Sequence, residues 1–89
     1  MSKVVMYTTG LCPFCIRAKQ LFDDIGVLYE EIRVDQNTEI RVEMIQRSGR
    51  RTVPQLFIGD RHVGGCDDAQ SALQSGELKM WLEEAGIHV

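Results

Sequence analysis

Two cysteines separated by two residues, Cys12 and Cys15, lie where a β-rich stretch ends and a helical pattern begins. Residues 3–8 are mostly apolar and rich in residues typical of a buried strand. Pro13 suits the first position of a helix, because the N–H that proline lacks is not needed there. A strand followed by a helix with a cysteine pair at its start predicts an α/β protein whose chemistry depends on sulfur.

Hydrophobic periodicity and turn residues divide the rest of the chain into further strands and helices. The predicted strands are 3–8, 29–34, 55–58 and 61–63, and the predicted helices are 13–25, 39–48, 67–74 and 77–85. The order β-α-β-α-β-β-α-α opens with a βαβ unit and continues with a hairpin, which implies a mixed four-stranded sheet with helices on both faces. With 89 residues and no internal repeat, the chain is expected to form a single domain over 1–89.

Charge and hydropathy narrow the range of partners. The formal net charge of −3 argues against nucleic acid. No apolar run approaches the roughly 18 to 20 residues that a membrane span requires, so no membrane is expected as a partner. The N-terminal residues run directly into the first predicted strand and leave no room for a signal peptide, so a cytoplasmic location is expected. Three cysteines do not make an even disulfide framework, and in a reducing compartment a close pair is more often catalytic or metal-binding.

The position of the cysteine pair predicts a different role for each sulfur. A helix N-terminus carries unpaired N–H groups and a partial positive charge, both of which favour an anion. Cys12, near the N-cap, is therefore expected to have a lowered pKa and to act as the nucleophile. Cys15 lies within the first turn and more deeply in the helix, so it is expected to remain a thiol until it resolves a mixed disulfide at Cys12.

A metal site is the alternative use of such a pair. Structural zinc usually takes four ligands, and this chain has no second Cys-x-x-Cys segment. Only Cys66, His62 and His88 remain as candidate ligands. The βαβ context favours redox chemistry, and no metal is expected.

Two further segments could complete a site beside the cysteines. A cis Val53–Pro54 bond would turn the Val53 N–H and C=O outward to pair with an extended peptide, but a trans proline opening an edge strand is the simpler interpretation from the residues alone. In the segment 64–68, the N–H groups of Cys66 and Asp67 could hold a carboxylate, and Asp67 or Asp68 could pair with an ammonium group. A plain turn with an aspartate N-cap explains this second segment equally well.

Taken together, the motifs resemble the glutaredoxins over essentially the whole chain, most closely the small bacterial dithiol members of the glutaredoxin 3 type. Each motif alone is moderately specific, but the four in this order and spacing are highly specific. The segments that carry the resemblance are Cys12-Pro13-Phe14-Cys15, Arg47-Ser48-Gly49-Arg50, Thr52-Val53-Pro54-Gln55 and Gly64-Gly65-Cys66-Asp67-Asp68.

The resemblance implies the thioredoxin fold, a cis proline in the Thr-Val-Pro segment, and glutathione as the reducing co-substrate. It places the tripeptide across the site, with Val53 pairing with its cysteinyl backbone. Cys66 and Asp67 are then expected at the γ-glutamyl end, Arg41 at the glycine carboxylate and Phe14 beside the bound thiol. The full set of implied glutathione contacts is Phe14, Arg41, Thr52, Val53, Pro54, Gly65, Cys66 and Asp67.

Two residues depart from the common pattern of that family. Phe14 stands where many members have tyrosine, so a phenol hydroxyl is missing. Thr9 stands where many members have a lysine that is credited with assisting the thiolate, so a weaker lowering of the Cys12 pKa is expected. Cys66 is interpreted as a backbone donor with a small side chain, and the sequence leaves a regulatory thiol open as the other interpretation.

The expected function is glutathione-dependent reduction of protein disulfides and of glutathionylated proteins by a monomer. One alternative is a dimer that holds a [2Fe–2S] cluster through Cys12 and glutathione; Pro13 argues against it, because cluster-holding members generally lack this proline. The other alternative is thioredoxin-like activity driven by a reductase. Phe14 in place of glycine, together with the segment 64–67, favours the glutathione-dependent enzyme.

Overall fold

A computed structural model describes residues 3–88, and its elements follow the predicted order. The strands are β1 (Val4–Thr8), β2 (Glu30–Arg33), β3 (Gln55–Ile58) and β4 (Arg61–Gly64). The helices are α1 (Pro13–Ile25), α2 (Thr38–Ser48), α3 (Cys66–Ser75) and α4 (Glu77–Glu84). No helix within residues 3–88 is long and apolar enough to cross a bilayer.

The four strands form one mixed sheet, as predicted, and their order across the sheet is β2-β1-β3-β4. β1 and β2 are parallel, because α1 provides the crossover between them. β1 is antiparallel to β3, with Tyr7 opposite Gln55, and β3 is antiparallel to β4. The chain therefore leaves β1 and enters β3 at the same end of these two central strands, which brings the cysteine segment and the segment 52–54 together.

Alternating side chains of the sheet pack into two separate cores. On one face, Val4 and Met6 of β1 pack with buried residues of α1, α3 and α4. On the other face, Tyr7 packs with Phe57 of β3 and Met44 of α2. Helices therefore cover both faces, as the sequence predicted, and burial on both sides gives β1 a fixed position beneath the start of α1.

Several elements differ by one or two residues from the predicted ranges, and hydrogen bonds explain the differences. α2 begins at Thr38 because the Asn37 side chain accepts N–H groups of the first helical turn. β2 is shorter than 29–34 because it includes only the four residues that β1 pairs with. α3 begins at Cys66, one residue early, because Gly65 and not an aspartate is its N-cap.

Candidate active site

Cys12 is the N-cap of α1 and directly follows the loop after β1. Pro13 takes the first helical position, where a missing N–H leaves no hydrogen bond unmade. The Cys15 backbone N–H donates to Cys12 Sγ at 3.1 Å. A sulfur at this position receives both a hydrogen bond and the partial positive charge of the helix end, and both favour a thiolate.

Cys12 and Cys15 are joined by a disulfide, so the structure shows the oxidised form of the pair. Their Cα atoms are 5.1 Å apart. Cys12 retains 7% of its surface exposed to solvent, whereas Cys15 retains 1%. A group arriving from outside therefore reaches Cys12 before Cys15, which is the order of access that the predicted roles require.

The segment 52–54 lies beside the disulfide. The Val53 carbonyl oxygen is 3.8 Å from Cys12 Sγ, and the Val53–Pro54 peptide bond is cis. Thr52 is exposed, Val53 is half-buried and Pro54 is buried. The bond is therefore the cis isomer that the family resemblance implied, and not the trans isomer that the residues alone favoured.

The N-terminus of α3 packs against the same segment. A Cβ added to Gly65 would lie 3.5 Å from the Pro54 carbonyl oxygen, so the two backbones are close neighbours. Cys66 is a free thiol that is buried in the core. Burial raises the pKa of the Cys66 thiol, and the negative charge of Asp67 acts in the same direction. A thiol with a raised pKa stays protonated at neutral pH and therefore reacts slowly, which favours the interpretation of Cys66 as a backbone donor.

The two aspartates of α3 have different surroundings. The Asp68 carboxylate accepts the Gly65 N–H at 2.9 Å and an Arg50 guanidinium N–H at 2.8 Å. These two hydrogen bonds hold the pKa of Asp68 below its usual value, and the bond from Arg50 has the larger effect. Both aspartates are exposed, but the Asp68 carboxylate is engaged in the helix cap and in the ion pair with Arg50. The expected contact of Asp67 with the γ-glutamyl end of glutathione stays a prediction.

Phe14 and Arg41 lie at the margin of this arrangement. Phe14 is half exposed on the first turn of α1, and the Arg17 guanidinium carbon lies 5.5 Å from the centre of its ring. Arg41 on α2 donates to the Arg51 carbonyl at 3.4 Å, which places it next to the residue before Thr52. Residues predicted from four separate parts of the sequence thus meet at one end of the sheet.

The turn before Cys12 is held by Asp35, which sequence reasoning missed. One Asp35 oxygen accepts the Gly10 N–H at 3.0 Å. Arg33 donates to the same carboxylate through two hydrogen bonds, of 2.9 and 2.7 Å. These contacts hold the pKa of Asp35 well below its usual range; the hydrogen bonds from Arg33 have the larger effect and the Gly10 N–H the smaller one. Gly10 and Asp35 are 25 positions apart, so no local pattern could have paired them.

Two of the three residues that the sequence left open as zinc ligands, His62 and Cys66, have other environments. His62 hydrogen-bonds to Gln55 at 2.7 Å, and Cys66 packs in the core. Within residues 3–88, no three histidine, cysteine, aspartate or glutamate side chains come together as a metal site would require.

A family model matches most of the chain. The model described as Glutaredoxin covers residues 4–63. The chain belongs to the glutaredoxin family. This glutaredoxin is therefore a thiol–disulfide oxidoreductase that uses glutathione as its reducing co-substrate, with a redox-active pair at Cys12 and Cys15.

Individual relatives and solved structures agree with the family match. The chain is 50% identical over 82 residues to "Glutaredoxin" of Pseudomonas aeruginosa, covering 92% of this chain and 98% of the relative. It is 53% identical over 83 residues to "Glutaredoxin 3" of Escherichia coli K12, covering 93% of this chain and all of the relative. Among solved structures, the buckwheat glutaredoxin–glutathione complex has a TM-score of 0.88 at 36% identity, covering 99% of this chain and 83% of that one. These matches confirm the thioredoxin fold.

Proposed function

We propose that Cys12 is the nucleophile and Cys15 the resolving thiol of an enzyme that reduces protein disulfides and glutathionylated proteins. The observation that carries this assignment is the position of Cys12 at the N-cap of α1, with the Cys15 N–H donating to its sulfur. The same helix end that stabilises a Cys12 thiolate also stabilises it as a leaving group. Both properties speed thiol–disulfide exchange.

On a glutathionylated protein, Cys12 alone is sufficient. Its thiolate attacks the glutathione sulfur, the mixed disulfide of the substrate breaks, and the substrate leaves as a thiolate that takes up a proton. Cys12 is then disulfide-bonded to glutathione. A second glutathione thiolate attacks the glutathione sulfur of this adduct, which releases oxidised glutathione and restores the Cys12 thiolate.

On a protein disulfide, both cysteines take part. Cys12 attacks one substrate sulfur, and the other substrate sulfur leaves as a thiol. Cys15 then attacks Cys12 Sγ, which releases the second substrate thiol and forms the Cys12–Cys15 disulfide seen in the structure. Two molecules of glutathione return this disulfide to two thiols and leave as oxidised glutathione.

We place glutathione between the segment 52–54 and the N-terminus of α3. The proximity of the Val53 carbonyl to Cys12 Sγ supports this position, because an extended cysteinyl backbone paired with Val53 would bring its sulfur to Cys12. The first N–H groups of α3, at Cys66 and Asp67, suit the γ-glutamyl carboxylate, and the exposed Asp67 carboxylate suits its ammonium group. Pro54 and Gly65 then form the floor of the site.

The remaining contacts lie at the rim. Thr52 is exposed beside Val53, Arg41 offers a cation to the glycine carboxylate, and Phe14 offers an apolar surface beside the reacting sulfur. We further propose that residues 1–89 act as a single domain, as a monomer and in the cytoplasm, with no nucleic acid or membrane as partner.

A glutathione reductase-coupled assay on two substrates tests the roles of the cysteines. Cys12→Ser is expected to remove turnover of both a glutathionylated peptide and a protein disulfide, because serine is not ionised at neutral pH. Cys15→Ser is expected to retain turnover of the glutathionylated peptide and to lose reduction of the protein disulfide. Turnover by Cys12→Ser above a few per cent, roughly a loss of less than 2 kcal/mol of transition-state stabilisation, contradicts the assignment of the nucleophile. Equal loss of both activities in Cys15→Ser contradicts its resolving role.

A further inference from the structure

Gln55 is a fully buried polar side chain at the start of β3. Its Nε2 donates to the Thr52 carbonyl at 3.0 Å and to Thr52 Oγ1 at 3.1 Å. Its Oε1 lies 2.7 Å from His62 Nε2 on β4. A buried amide is costly unless its donors and acceptor are paired, and all of the polar atoms of Gln55 have partners here. Most of this hydrogen bonding is directed to one exposed residue, Thr52.

The direction of each hydrogen bond follows from the chemistry of the groups. The Thr52 carbonyl can only accept, so the amide nitrogen of Gln55 must face it and Oε1 must face His62. His62 then has to donate from Nε2. Burial lowers the pKa of His62, and the positive charge of Arg50 adds to the effect, so both favour the neutral ring. The hydrogen bond to Gln55 then places the proton of that ring on Nε2.

His62 is itself held in place by packing. Its ring stacks on Phe57 with the ring centres 4.9 Å apart, and the Arg47 guanidinium carbon lies 4.1 Å from the centre of the Phe57 ring. A chain of contacts therefore runs from β4 to the active-site loop. Stacking fixes the His62 ring, the His62 ring fixes the Gln55 amide, and the Gln55 amide fixes Thr52.

We propose that Gln55, oriented by His62, is a positioning residue that holds Thr52 in the conformation needed for glutathione binding. This inference rests on the proposed placement of glutathione beside the segment 52–54. Thr52 precedes Val53, whose carbonyl lies 3.8 Å from Cys12 Sγ, so a fixed Thr52 also limits the directions available to the Val53 backbone. A loop held in its binding conformation before the ligand arrives loses less conformational entropy on binding.

The test is the KM for a glutathionylated peptide in Gln55→Met, which retains the size of the side chain and removes its hydrogen bonds. KM is expected to rise about five- to tenfold while kcat stays within about twofold, because binding is lost equally in the ground and transition states. Gln46→Met is the matched control, since Gln46 is an exposed glutamine on α2, and its KM is expected to equal that of the wild type.

A second variant tests whether His62 acts through Gln55. His62→Phe retains the stack on Phe57 and removes the Nε2 donor, so it is expected to raise KM by about threefold. In the double variant with Gln55→Met, His62→Phe is expected to add nothing, because the group it orients is absent. Additive effects on KM contradict this order of action. If Gln55→Met does not fold, His62→Phe provides the test, because His62 is only half-buried. An unchanged KM in His62→Phe then overturns the proposal.

Thermal unfolding of every variant separates positioning from stability alone. A lower unfolding midpoint with an unchanged KM in Gln55→Met makes Gln55 a core residue only and overturns the proposal. Cys12→Ser, assayed in parallel, keeps the proposed function separate. If Cys12→Ser is inactive and the Gln55 and His62 variants have the wild-type KM, only the positioning inference fails. If Cys12→Ser retains turnover, the proposed function fails as well.

Discussion

Replacement of Asp68 by alanine removes a helix cap and an ion pair at the same time. The carboxylate accepts the Gly65 N–H at 2.9 Å and pairs with Arg50 at 2.8 Å. It also lies directly beneath Gly64, where a Cβ would overlap it. The neighbouring Asp67 is exposed and is not part of the cap. The two adjacent aspartates therefore make a matched pair, in which one replacement is expected to lower stability and the other to weaken glutathione binding.

The magnitude follows from the two contacts. Loss of a side-chain cap typically costs about 1 kcal/mol of unfolding free energy. The Asp68 and Arg50 side chains are 46% and 49% exposed, so solvent screening limits their pairing to about 0.2–1 kcal/mol. Asp68→Ala is thus expected to lose roughly 1–2 kcal/mol, which for a chain of this size lowers the unfolding midpoint by roughly 5–15 °C.

Chemical and thermal denaturation of four proteins in the same oxidised state provide the assay. Asp68→Asn retains an oxygen that can accept the Gly65 N–H and loses only the charge, so it is expected to lose about 0.5 kcal/mol. Asp67→Ala is expected to stay within about 0.5 kcal/mol of the wild type. A wild-type stability for Asp68→Ala, or an equal loss in Asp67→Ala, refutes the assignment of the cap.

The pH dependence gives an independent check with a defined sign. Folding lowers the pKa of Asp68 from the ordinary aspartate value of 3.8, chiefly because of the hydrogen bond from Arg50 and then because of the Gly65 N–H. A lowered folded pKa means that the carboxylate contributes its full stability above 3.8 and loses it as pH falls through the folded pKa. The stability difference between the wild type and Asp68→Ala is therefore expected to be constant near neutrality and to shrink only in acid. If the stability difference between the two proteins disappears at a pH well above 3.8, a group other than Asp68 causes it.

Two further replacements test the electrostatics of the site. Asp67→Ala is expected to raise the KM for a glutathionylated peptide by about fivefold with a smaller change in kcat, because its proposed contact is remote from the reacting sulfur; an unchanged KM in the coupled assay removes Asp67 from the site. Thr9→Lys is expected to lower the Cys12 pKa by less than about one unit, and by less at high salt, because an exposed charge near the sulfur is worth about 1 kcal/mol. The Cys12 pKa is measured from the ultraviolet absorbance of the thiolate as a function of pH, in a background with Cys15→Ser and Cys66→Ser. A shift of several units would mean that the lysine, and not the helix end, sets thiolate stability.

Much of this fold could be read from local patterns. Pro13 begins α1 as predicted, and Gly26 and Gly49 follow α1 and α2 with positive φ angles of 74° and 71°, as helix-ending glycines do. The placement of Cys12 at a helix N-cap follows from those local signals as well. The reason is that caps, turns and helix starts depend on residues within a few positions of one another, so the sequence carries their causes directly.

The partners of the loops around the site were decided at long range. The ion pair at the start of α3 joins Asp68 to Arg50, 18 positions away, so the segment 64–68 could not show it. The tether from Gly10 to Asp35 spans 25 positions, and the bond from His62 to Gln55 depends on the pairing of β3 with β4.

The isomer of the Val53–Pro54 bond also depends on residues that are far apart in the sequence. The residues alone favoured the trans form, because an isolated X–Pro bond prefers trans by about 0.5–1 kcal/mol. The folded protein has the cis form. Preferences this small are set by the packing of whichever elements meet there, and those elements are neighbours only after the sheet has formed.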